Sequence, residues 1–178
     1  FEPNYKIHKK LREELNEVAS LEIIGKAIWD SNGVKDFHLN KGPNESSILK
    51  SNKNFVGQFL WKERFEQEEI FSMNTTTIDT CIKNKLDALK IDIQGGSFNA
   101  LEGSIGQLNN IFTIELETEF FKVYEGQKTF FDIFDFLTKK GYIFDDFTEL
   151  HRWNRAKNDL IGGSLIYGDA LFIKNPDL

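Results

Sequence analysis

Leu89-Lys90-Ile91-Asp92-Ile93-Gln94-Gly95-Gly96 is the most telling stretch of the chain. Residues 86–93 read as a strand, and Gln94-Gly95-Gly96 reads as a tight turn. Residues 97–108 follow with helical spacing, which predicts a buried face of Phe98, Leu101, Ile105 and Leu108. Strand, glycine turn and helix together form the opening of a crossover unit. An aspartate between two isoleucines at the end of a buried strand is costly unless it is used or paired. Asp92 could orient a substrate hydroxyl, take its proton or bind a metal; it could equally cap the next helix. The two glycines let the backbone pass close to a ligand.

Outward from this unit the same alternation continues. Residues 111–117 read as a strand. Residues 129–140 read as a helix with Phe130, Ile133, Phe134 and Leu137 inward, ended by Gly141. Two last strands are expected at 142–147 and 170–174. Upstream, residues 5–18 form an amphipathic helix with Ile7, Leu11 and Leu15 on one face. Residues 21–29 are nearly all apolar, the mark of a strand buried on both faces. Asp30-Ser31-Asn32-Gly33 is a turn, and 34–39 a short edge strand. Residues 40–54 read as a polar surface loop, 55–61 and 69–75 as short strands, and 77–84 as a short helix. Strands alternating with helices imply an α/β domain with a largely parallel sheet, covered by helices on both faces.

In open α/β sheets, ligands bind beyond the carboxyl ends of the strands. Four groups of polar residues fall at such places. Glu2, just before the first helix, could accept two ribose hydroxyls or be an exposed turn residue. Asp92 is the second. Glu115, Glu117 and Glu119 leave one strand end, with Glu119 expected in the loop. They could join Asp92 around a divalent cation or form a solvated acidic rim. Asp169 begins the last strand, where it could touch substrate or bond to a neighbouring loop.

At 178 residues the chain suits a single domain, residues 1–178, and with 40% hydrophobic residues and seventeen Phe it can fill an aromatic core. A net charge of −6 argues against sequence-independent nucleic-acid binding and against anionic membranes. No apolar run approaches the roughly 20 residues that span a bilayer. Cys81 is the only cysteine, expected as a small buried hydrophobe, and no intrachain disulfide can form. A cytoplasmic location is expected. His8, His38 and His151 have no metal-like spacing, and no HExxH, CxxC pair, P-loop or G-x-S-x-G elbow is present. No metal ligand set is assigned.

Taken in order, these segments resemble the FkbM family of S-adenosylmethionine-dependent methyltransferases, from Phe1 to about Lys174. The resemblance is carried by Phe1-Glu2-Pro3, by Lys26-Ala27-Ile28-Trp29-Asp30 with Asn32-Gly33, and by Thr77-Ile78-Asp79 with Leu89 to Gly95. Leu101-Glu102-Gly103, Leu116-Glu117, Tyr124-Glu125-Gly126-Gln127 and Gly168-Asp169-Ala170-Leu171-Phe172 complete it. It implies a Rossmann-like class I methyltransferase sheet, mostly parallel with an antiparallel last strand. It also implies methyl transfer from S-adenosylmethionine to a hydroxyl of a sugar, lipid or secondary metabolite.

By position in that family, Glu2, Ala27, Asp30 and Asp92 would bind the cofactor. Glu117, Tyr124 and Asp169 would line the acceptor side. Asp92 is the first candidate for the catalytic base and Glu117 the second. Where the family pattern has a glutamate, this chain has Ser97, which could cap the helix.

The family's first strand, glycine loop and most of its second strand are expected upstream of Phe1, a unit of about 30 residues or more. In such a sheet those strands lie between the third and fourth, so a sheet without them has unpaired backbone on both sides of a gap. The chain is then the C-terminal part of a longer product, or it closes up around the gap, or it pairs with a second copy as a homodimer. Alone it is expected to bind S-adenosylmethionine poorly. A non-catalytic binding module and, less well supported, a nicotinamide-dependent oxidoreductase are the competing readings.

Overall fold

The structure, a computed structural model, describes residues 1–18, 20–157 and 162–176. Helix α1 (Tyr5–Glu14) is tied to the following segment by Arg12, whose guanidinium donates to the Ile23 carbonyl at 3.1 Å. Its expected apolar face finds little cover, since Ile7 and Leu15 are exposed. Strand β1 (Ala27–Ile28) is shorter than the apolar run predicts. It pairs through those two residues alone, so Leu21 to Lys26 lack a ladder to join, and Leu21 is exposed.

Strand β2 (Gly33–Asn40) leads into a cap over residues 43–66. The cap contains a 3-10 turn at Pro43–Glu45, a single helical turn α2 (Lys53–Val56), and a second 3-10 turn at Lys62–Phe65. No strand forms at 55–61, where a short one was expected. The side chain of Asn52 instead caps α2 by accepting from the Phe55 amide, and the aromatic residues that follow bury themselves in a local core. Strand β3 (Gln67–Thr76) returns antiparallel to β2 and parallel to β1. Helix α3 (Ile78–Cys81) is capped by Thr77, which accepts from the Thr80 amide. Cys81 is half-buried, with Sγ 3.2 Å from the Thr76 hydroxyl.

The second half follows the expectation more closely. Strand β4 (Ala88–Ile91), helix α4 (Ser97–Glu102), strand β5 (Thr113–Glu119), helix α5 (Phe130–Lys139), strand β6 (Tyr142–Trp153) and strand β7 (Ser164–Lys174) occur in that order. Helix α5 carries a capping box in which Thr129 and Asp132 satisfy each other's backbone amides. Gly141, at φ +82°, turns the chain into β6. Helix α4 stops at Glu102 and leaves Ile105 exposed, while Leu101 and Leu108 stay buried. On α5, Ile133 and Leu137 are buried and Phe134 is partly exposed.

The strands form two sheets rather than one. The first has the order β1-β3-β2 and the second β4-β5-β7-β6. Among the described residues only β1–β3 and β4–β5 are parallel; β2–β3, β5–β7 and β6–β7 are antiparallel. The largely parallel sheet expected from the alternation is therefore a mixed one. For β6–β7 the reason is connection length, since a parallel crossover needs a dozen or more residues and only ten lie between Trp153 and Ser164.

The main core lies on one face of the second sheet. Ile91, Ile114, Leu116, Ala170 and Phe172 stack across β4, β5 and β7 beneath Leu101, Ile133 and Leu137 of the helices. Period-2 alternation on β5 puts Glu115, Glu117 and Glu119 on the opposite face. A second core joins the cap to the chain after β5 and β6. It is built from Val56, Phe59, Phe65, Val123, Tyr124 and Ile166.

Candidate active site

A cleft of about 810 Å³ opens between the first sheet, the cap and the carboxyl ends of β4 and β5. That volume falls within the roughly 300–1,000 Å³ of small-molecule sites. Glu2, Ala27, Asp92 and Glu117 all line it, although they come from four separate parts of the sequence. The Glu2 amide donates to the Ile24 carbonyl at 2.9 Å, which holds Phe1–Pro3 beside the β1 segment. One carboxylate oxygen of Glu2 accepts from the Asn4 amide at 2.7 Å.

The turn after β4 is the organising element. Gly95 has φ +70°, and a Cβ there would lie 2.5 Å from the Tyr124 ring; a Cβ on Gly96 would lie 2.6 Å from the Trp29 ring. These two close approaches explain the glycines. The Gly95 amide donates to Glu119 at 3.1 Å, and the Gln94 side-chain amide donates to Glu117 at 2.8 Å. On its other side the turn is strapped to the cap, because the Ser47 hydroxyl donates to the Gln94 carbonyl at 2.5 Å. Tyr124 completes the strap. Its hydroxyl lies 3.1 Å from both the Glu45 carbonyl and Gln94 Oε1.

Glu119 therefore belongs to β5, not to a loop, and shares the cleft with Glu117 and Asp92. Burial, then repulsion from Glu119, Asp92 and Asp169, pushes the Glu117 carboxyl up to about 9. Burial likewise pushes Glu119 up to about 8, although its hydrogen bonds oppose the shift. Burial thus favours the neutral, protonated form of both. Lys90 relieves Glu117 only in part, because its ammonium pairs with Glu115 at 2.9 Å and Asp169 at 2.7 Å. Asp92 is exposed at the cleft. Among the described residues no cluster of three or more His, Cys, Asp or Glu is placed to hold a metal ion.

Three expected site residues stand elsewhere. Asp30 does not line the cleft; it accepts from Asn99 at 2.7 Å and from Ser31 at 2.6 Å, fastening the β1 turn to α4. Asp169 is held by Lys90 on the sheet face. Tyr124 is fully buried behind the Gly95 turn, where burial raises its hydroxyl well above the usual range. Ser97 does not cap α4. It is the first helical residue, and its hydroxyl is buried without a partner.

Several lining residues carry no motif that points to them: Trp61, Arg64 and Phe65 of the cap, Trp153 of β6 and Tyr167 of β7. Tyr167 sits opposite Glu119 in the β5–β7 ladder and stacks on His151 at 4.3 Å. The one signal for them is the density of aromatic residues from 55 to 65.

The model of the methyltransferase FkbM domain matches residues 1–144. The chain is 26% identical over 147 residues to the 2-O-methyltransferase NoeI of Sinorhizobium fredii, covering 77% of this chain and 59% of that protein. The chain thus spans less than two thirds of the length of that relative. No solved structure matches. Because that family model covers residues 1–144 of the 178, the chain belongs to the FkbM methyltransferase domain family.

Proposed function

We propose that this chain supplies the nucleoside-binding and acceptor-binding parts of an S-adenosylmethionine-dependent O-methyltransferase. The observation that carries the reading is the convergence of Glu2, Ala27, Asp92 and Glu117 on one cleft beyond the strand ends. The order β4-β5-β7-β6 with β7 antiparallel, and β1 in a separate sheet, supports a class I methyltransferase arrangement. In that arrangement two further strands of the complete protein lie between β1 and β4.

The residues present fit the nucleoside half of the cofactor. Glu2 has a second carboxylate oxygen for a ribose hydroxyl, and Pro3, Ala27 and Ile28 provide an apolar slot beside it. When bound, S-adenosylmethionine supplies an electrophilic methyl group. The protein's work is then to align an acceptor oxygen and take its proton. Asp92, exposed at the cleft, suits the base. Glu117 suits a different role from the one first expected. As a neutral acid with one oxygen held by Gln94, it donates a hydrogen bond to an acceptor oxygen.

The test is methyl transfer by the complete gene product, with a labelled donor. Asp92→Asn is expected to lower kcat by roughly 10²- to 10⁴-fold. Glu117→Gln keeps a donor and is expected to stay within about tenfold of the parent. A Glu117→Gln variant as inactive as Asp92→Asn overturns the division of roles. Ser97 favours a second reading, a non-catalytic member, since its orphaned hydroxyl stands where the family pattern has a carboxylate. Cofactor binding without any methyl transfer selects that reading.

A further inference from the structure

Tyr124 lies beside the cleft without lining it, whereas Gln94 and Glu117 both line it. Its side chain is buried against the Gly95 turn, so close that a Cβ on Gly95 would lie 2.5 Å from the ring. Its amide donates to Gln127 at 2.9 Å, and its backbone bridges to Ser51 of the cap. The ring is therefore fixed on both sides, and its hydroxyl reaches the cleft only through a neighbour. That neighbour is Gln94, whose Nε2 donates to Glu117 Oε1 at 2.8 Å while its Oε1 accepts from the Tyr124 hydroxyl at 3.1 Å.

A primary amide has donors at one end and an acceptor at the other, so what one end meets dictates what the other offers. Burial raises the Tyr124 hydroxyl well above its usual range, so the phenol keeps its proton throughout the titration of Glu117. When it donates to Gln94, the amide presents N–H to Glu117, and a protonated Glu117 carries its proton on Oε2, the oxygen Gln94 leaves free. The opposite polarity is chemically complete as well. Tyr124 then donates to the Glu45 carbonyl, also 3.1 Å away, Gln94 donates to the phenol oxygen, and Glu117 gives its proton to Gln94 Oε1. In that arrangement the carboxyl has no proton left for a ligand.

We propose that Tyr124 is a positioning residue: by donating to Gln94 it sets the polarity of the amide and keeps the Glu117 proton on the free oxygen, available to a ligand in the cleft. This takes the place of the direct acceptor contact that the family resemblance implies for Tyr124. The inference rests on the reading of Glu117 as a donor to the acceptor oxygen, but its first test needs neither acceptor nor methyl donor. The other groups facing Glu117 are Glu119 on β5, Asp92 and Lys90 at β4, and Asp169 and Tyr167 on β7. Replacing the Tyr124 hydroxyl changes the charge of none of them.

The experiment is carboxyl ¹³C NMR of Glu117 in the complete gene product, titrated through alkaline pH, with the signal assigned by its loss in Glu117→Gln. Tyr124→Phe keeps the ring and removes the donor, so the Gln94 oxygen is left to the carboxyl proton. The protonated form gains a partner, and the Glu117 midpoint is expected to rise by about 0.5 to 1 pH unit. Ser47→Ala frees the Gln94 carbonyl from the cap without touching its amide, and is expected to shift the midpoint by less than about half as much. An unchanged or lowered midpoint in Tyr124→Phe, folded by circular dichroism, overturns the proposal. So does an equal rise in Ser47→Ala, which marks a loosened cap rather than amide polarity. In methyl transfer, Tyr124→Phe is expected to lower kcat about 3- to 10-fold in the parent and to have no effect in a Glu117→Ala background. An equal loss in both backgrounds overturns the proposal too. If the parent transfers no methyl group, the reaction falls while the midpoint shift still supports or overturns the role of Tyr124.

Discussion

Glu117 concentrates the chemistry of the cleft in one carboxyl group. It is buried, opposite Asp169 in the ladder, and near two further carboxylates, with its nearest ammonium committed elsewhere. The unfolded chain releases this proton near the ordinary value of 4.5, while the folded chain holds it to about 9. Between those values the folded state binds more protons than the unfolded state. Stability from this group is therefore full below about pH 4.5 and is lost as pH rises through about 9. Glu119 adds a fall in the same direction, ending near 8. Glu117→Gln keeps an oxygen for the Gln94 amide and cannot ionise. It is expected to be at least about 2 kcal/mol more stable than the parent at pH 9, with the gap closing at pH 4.5. Urea unfolding of both proteins at the two pH values measures this. A constant gap contradicts the assigned burial of the carboxyl.

At the scale of elements, the sequence disclosed what local rules control. Period-2 alternation placed Glu117 on β5, and the glycine pair placed the turn after β4. It concealed what depends on distant partners. The apolar stretch at 55–61 suggested a strand, yet Phe59 is buried against Trp153, 5.4 Å away, in a core that joins the cap to β6. No local pattern announces such a contact, and Trp61 and Tyr167 were missed for the same reason. The partner of Asp169 was not legible either, because Lys90, which holds it, lies 79 positions away in sequence. If the cap is fixed by this second core, Phe59→Ala is expected to cost about 3–5 kcal/mol. It should also expose the cap to trypsin between Lys50 and Arg64 before the rest of the protein is cut. A variant that loses stability with no early cleavage in the cap shows that the two cores unfold together.

For the whole molecule, the decisive feature is the pair of strand edges at its middle. Within the described residues β1 pairs only with β3, and β4 only with β5. Ile28 nevertheless packs on the main core, and Asp30 is bonded to Asn99 of α4, so the two sheets are held close without a ladder between them. A strand edge with unpaired amides and carbonyls is a template for further pairing. Residues 21–29 are apolar enough for a central strand yet pair through only two residues. If two more strands of the complete protein lie there, every amide of Ala88–Ile91 is bonded or buried in that protein. Hydrogen exchange on the complete gene product is then expected to show all four amides protected as strongly as those of Thr113–Glu119. Should the outward-facing amides of β4 exchange at the rate of exposed loops, while β5 stays protected, no strand pairs there. The class I arrangement then gives way to two independent sheets closed around the cleft.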